Sequence, residues 1–98
     1  MLTPEQQLEA GKRYAEQVFD RLAQEHRGRI APDAPFWQPS IISGGIDYAL
    51  YFYLRGNSDP VHIPIAGRML QDAANPNNTA DRSDLEEHIR VQLRALLA

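Results

Sequence analysis

The side chains able to do chemistry are few and scattered. Histidines stand at His26, His62 and His88, without the short spacing by which one loop or helix face presents imidazoles to a metal. None of Ser40, Ser43, Ser58 and Ser83 sits in the Gly-x-Ser-x-Gly setting of a nucleophile elbow. The carboxylates of Glu86-Glu87 are adjacent in sequence, so on a helix they point apart rather than sharing a proton. Cysteine is absent, which removes thiolate nucleophiles, thiolate metal sites and disulfides. Gly44-Gly45 is not followed by the Lys-Ser/Thr of a phosphate loop; it fits the two-residue turn of a hairpin. An enzyme would have to gather its groups from distant positions, so catalysis is not expected and no catalytic residue, cofactor or metal ligand is assigned.

What could present function instead is a surface, and the elements that would build it are legible. Ile46–Arg55 (IDYALYFYLR) is aromatic and apolar without helical spacing, and reads as a long strand. Pro60–Leu70 reads as its antiparallel partner across a four-residue loop, Gly56–Asp59. That loop length sets a register pairing Leu54 with Val61, Phe52 with Ile63, Leu50 with Ile65, Tyr48 with Gly67 and Ile46 with Met69 on the core face. The reverse face then pairs Arg55 with Pro60, Tyr53 with His62, Tyr51 with Pro64, Ala49 with Ala66 and Asp47 with Arg68. A first strand over Trp37–Ser43, turning at Gly44-Gly45, sets Ile41 opposite Tyr48 and Trp37 opposite Phe52. Phe36, Gln38 and Ile42 face the other way. Pro39 and Pro64 fall on the two outer strands, where a missing N–H is tolerated.

Helices flank this sheet. Thr3-Pro4-Glu5-Gln6 is a capping box with proline at the first helical position. The stripe Leu8, Gly11, Ala15, Val18, Phe19 and Leu22 continues from it, and the helix runs to about His26. Gly11 within that stripe marks close packing of this helix on the sheet, or else a close approach by a ligand or backbone. His26, Arg27 and Arg29 gather where the helix stops at Gly28. Gln71–Arg82 is polar and reads as a mobile loop. A second helix opens at Ser83 with Glu86 three residues on, and buries Leu85, Ile89, Leu93, Leu96 and Leu97.

The fold expected is therefore α+β: a two-layer α-β-β-β-α domain spanning residues 1–98, a three-stranded antiparallel meander with both helices on one face. The element order resembles that of double-stranded RNA-binding domains. Those grip phosphate with lysines at the start of the second helix, where this chain has Ser83-Asp84-Leu85-Glu86-Glu87, an acidic turn that repels phosphate. The net charge of −3 likewise disfavours nucleic acid or an anionic membrane held by bulk charge. The longest uncharged apolar run, Tyr48–Leu54, is too short to span a bilayer, and the start of the chain lacks a signal-peptide pattern. Cytoplasmic placement is the expectation.

With both helices on one face, the other face stays open and displays Phe36, Tyr51, Tyr53, Arg55, His62 and Arg68. Tyrosine and arginine are favoured contact residues. The leading expectation is a non-catalytic protein acting by protein–protein contact through this face or an outer strand, with a partner protein or a second copy of itself. The alternative is a small-molecule-binding or enzymatic domain with a pocket between the sheet and the 71–82 loop, where His62 would be the titrating group.

Overall fold

A computed structural model describes residues 2–42 and 45–98, with the side chains of 40–46 outside the description. Among the described residues the chain forms three helices and a three-stranded antiparallel sheet. In order these are α1 (Pro4–Glu25), β1 (Phe36–Ile42), β2 (Gly45–Phe52), β3 (Val61–Ala66), α2 (Gly67–Asp72) and α3 (Thr79–Leu97). The sheet order is β1-β2-β3, so the aromatic strand is central.

α1 begins as its sequence dictates. The Thr3 hydroxyl accepts from the Gln6 amide at 3.1 Å, and the Gln6 side chain accepts from the Thr3 amide at 2.9 Å. Two otherwise orphaned N–H groups are thereby satisfied. Gly11, Ala15, Val18, Phe19 and Leu22 are buried along the expected stripe. A Cβ at Gly11 would run into the backbone carbonyl of Leu70, so the close approach is to α2 rather than to the sheet.

Both strand registers differ from the loop-based expectation by two residues. Phe52 pairs with Val61, Leu50 with Ile63, Tyr48 with Ile65 and Tyr51 with His62; Trp37 pairs with Leu50 and Ile41 with Ile46. An even shift keeps the described side chains within the paired strands on their expected faces, because strand side chains alternate with period two. The cause at one end is that β2 stops at Phe52. Residues 53–55 pair instead with the segment after α1: Leu54 bridges Ile30, the Ala31 amide donates to Tyr53 O at 2.9 Å and the Arg55 amide to Arg29 O at 2.8 Å. At the other end Gly45 belongs to β2, opposite Ile42, rather than to the turn; Ser43 and Gly44 lie outside the described residues, as do the expected side-chain directions of Ile41, Ile42 and Ile46.

Two further expectations are corrected. The strand expected over Pro60–Leu70 is shorter: β3 ends at Ala66 and Gly67–Asp72 is helical. Arg68 consequently pairs with Asp72 at 3.8 Å, one helical turn on, while Asp47 stands opposite Ala66. Arg68-Met69-Leu70-Gln71 are good helix formers, and the turn is held because Leu70 is fully buried. Residues 71–82 are likewise not one loop. α3 opens at Thr79, four residues before Ser83, and this early start positions Arg82. Its guanidinium donates to Ala73 O at 2.9 Å and Ala74 O at 3.4 Å, and lies 4.2 Å from the centre of the Tyr14 ring. Those carbonyls end α2 and would otherwise lack donors. Glu86, freed from a capping role, bonds Arg21 at 2.9 Å and Arg90 at 3.3 Å. Element order is thus α-β-β-β-α-α.

One apolar cluster joins these elements. Phe19 and Leu22 of α1, Leu50 and Phe52 of β2, Ile63 and Ile65 of β3, Leu70 of α2 and Leu85, Ile89 and Leu93 of α3 are all buried in it, with Trp37, Tyr48, Leu54 and Val61 partly buried against it. Phe19 and Phe52 meet with ring centres 4.8 Å apart. β1 is tied to α1 by the Trp37 indole, which donates to the Glu16 carboxylate at 2.7 Å.

Candidate contact surface

The reverse side of the sheet is built by the alternation that fills the core. Tyr51 lies between Leu50 and Phe52, both fully buried, so its ring emerges on the opposite face. Phe36 is its direct partner on β1 and His62 its direct partner on β3. The three strands therefore bring three rings into one line. Phe36 and Tyr51 stack at 5.3 Å with their planes 11° apart, and Tyr51 and His62 lie 5.0 Å apart at 32°. Tyr53 joins the other end, 6.3 Å from Phe36 at 42°. These separations are those of attractive aromatic pairs.

The row Tyr53–Phe36–Tyr51–His62 crosses the whole sheet. Its tyrosines and Phe36 are half-buried by one another, whereas His62 and its neighbours Pro64 and Ala66 are exposed. Ala49, beside Tyr51 on the same face, is only 3% exposed although it lies outside the core cluster.

Four of the six residues expected on this surface come together in the row. Arg55 and Arg68 do not. Arg55 turns toward the end of α1, where its Nε donates to Arg27 O at 2.7 Å. Arg68 is on α2 with its side chain 90% exposed, beside a recess of about 280 Å³ that also involves Leu8 and Tyr48. The departures share one cause: β2 ends at Phe52 and β3 at Ala66, so both arginines lie beyond the strands whose alternation would set them on this face.

The pocket expected between the sheet and residues 71–82 takes another form. A cavity of about 480 Å³ lies beside this segment, but its other wall is Leu2 and Gln7 at the start of α1, and no strand residue lines it. His62 is instead engaged with Tyr51. Among the described residues no polar or charged residue is buried.

Several polar groups with defined partners were not singled out from sequence. His88 of α3 reaches β3, its Nε2 standing 2.6 Å from Pro64 O. Lys12 lies over the Tyr48 ring at 4.3 Å and near the Trp37 ring at 5.8 Å. The helical spacing of Leu85, Ile89 and Leu93 could have indicated His88 as flanking the buried stripe; nothing in the sequence pairs Lys12 with Tyr48.

Comparison with protein-family models, curated proteins and solved structures finds no match to this chain. Among the described residues, no helix is long and apolar enough to cross a membrane.

Proposed function

We propose that the protein acts by protein–protein contact, without catalysis and in the cytoplasm, through the sheet face that carries the aromatic row. The observation that supports this reading is the continuous line Tyr53–Phe36–Tyr51–His62, with centres 5.0–6.3 Å apart across all three strands. Aromatic rings that already restrain one another lose little conformational freedom on binding, and tyrosine is enriched among residues that dominate interface energy. The reading treats the chain as one two-layer domain whose helices cover one sheet face. Its support is the shared apolar cluster, to which the three helices contribute together with alternate residues of β2 and β3. The contact partner is another protein or a second copy of the chain.

The experiment is the double change Tyr51→Ser/Tyr53→Ser. Circular dichroism is expected to stay close to that of the parent, while self-association in sedimentation, or partner capture from the native lysate, is lost. If the parent sediments as a monomer and parent and variant recover the same lysate proteins, the face is not a contact surface.

A further inference from the structure

A second location carries chemistry independent of the aromatic face. Between the C-terminal half of α1 and the segment 30–35 lies a recess of about 440 Å³, within the range of small-molecule sites. Phe19, Ala23 and Ile30 contribute apolar surface to it, and charged side chains of both signs surround them: Asp20 and Asp33 against Arg27 and Arg55.

These charges share one recess yet form no ion pair with one another; the ion pairs among the described residues lie elsewhere, at Lys12–Glu9, Arg21–Glu86, Arg68–Asp72 and around Arg90. Arg55 is held in place without using a carboxylate. Its amide donates to Arg29 O and its Nε to Arg27 O, which commits one edge of the guanidinium to the backbone. A planar guanidinium anchored in this way retains end-on donors for a carboxylate. The third carboxylate of the recess, Glu16, already accepts from the Trp37 indole.

From this arrangement we infer that the recess binds a small zwitterion of the amino-acid class. Its carboxylate lies toward Arg27 and Arg55, its ammonium toward Asp20 and Asp33, and its side chain over Ala23 and Ile30. A simple anion would meet the aspartates, and a simple cation would meet the arginines. A ligand carrying both charges at short separation answers both pairs.

The test is titration of the labelled full chain with each of the standard amino acids, followed by amide NMR up to about 10 mM, the weak end of specific small-ligand binding. At least one amino acid is expected to give saturable shifts confined to the amides lining the recess, on Asp20–Arg27, on the non-proline residues of 30–34 and at Arg55. Its decarboxylated amine and its deaminated acid should each bind at least about tenfold more weakly. Asp33→Asn and Arg27→Gln, both at exposed positions, should each weaken binding to a similar extent while the rest of the spectrum is unchanged. Absence of saturable shifts with every amino acid, or equal binding of the single-charge analogues, would mean that these side chains are only solvated and would overturn the proposal.

Discussion

The two faces of β2 are made from similar residues and have opposite fates. On one side Leu50 and Phe52 are fully buried, shared among helices and strands in one cluster. On the other, Tyr51 and Tyr53 are half-buried, and their described ring partners are Phe36 and His62 on the neighbouring strands. Apolarity alone therefore does not decide what is core. The difference lies in what each side chain packs against: Leu50 and Phe52 join helix and strand residues in one apolar cluster, whereas the rings of the row pack on one another. The stabilisation obtained from each ring should scale accordingly.

Substitution can break or sharpen this contrast. Phe52→Ala should have the largest effect, about 3–5 kcal/mol, since it deletes a wholly buried ring that touches Phe19. That is a large share of the stability of a small domain. A denaturant melt measures it. Gly11→Ala tests the helical side of the core. Alanine ordinarily favours a helix by about 1 kcal/mol, but here its methyl meets the Leu70 backbone, which cannot swing away as a flexible side chain could. A net loss of about 2 kcal/mol is expected, in the range for overpacking; a gain in thermal melting temperature would show that α1 and α2 are not seated together. Tyr51→Ala should have the smallest effect, about 1 kcal/mol, as it removes its stacking on Phe36 and His62 while leaving the main core intact. Equal losses for Tyr51→Ala and Phe52→Ala would mean that both faces are covered and would remove the basis of the contact proposal.

Which parts of this arrangement the sequence discloses follows from how local their causes are. α1 is readable from Thr3 to Leu22 because its cap and its stripe are local patterns. The division of β2 into a Leu50/Phe52 face and a Tyr51/Tyr53 face is readable because alternation survives a register error of two. The ends of strands are not readable in the same way. β2 gives way at Tyr53 because Leu54 and Arg55 pair with Ile30 and Arg29, residues distant in sequence. The early start of α3 goes together with a contact outside the helix, that of Arg82 with the carbonyls of Ala73 and Ala74. Both are tertiary contacts that override the local signals at Gly56–Asp59 and Ser83. For the same reason the shared face of Phe36, Tyr51, Tyr53 and His62 is legible in the sequence but their alignment in one row is not, and placing Arg55 and Arg68 on that face extrapolates strands past their ends.

The outer strands have a consequence for how this sheet meets other backbones. β1 carries Pro39 at its midpoint and β3 carries Pro64; neither can donate a backbone hydrogen bond, and the Pro64 carbonyl is already held by His88. An incoming extended peptide would find a gap in the row of donors on either side, and on β3 an acceptor already taken. The sheet is thus a poor template for sideways polymerisation, and the aggregation-prone Tyr-Ala-Leu-Tyr-Phe stretch is enclosed between two strands that resist fibril growth. The chain can display aromatic rings on one face of a small sheet without that sheet becoming a seed.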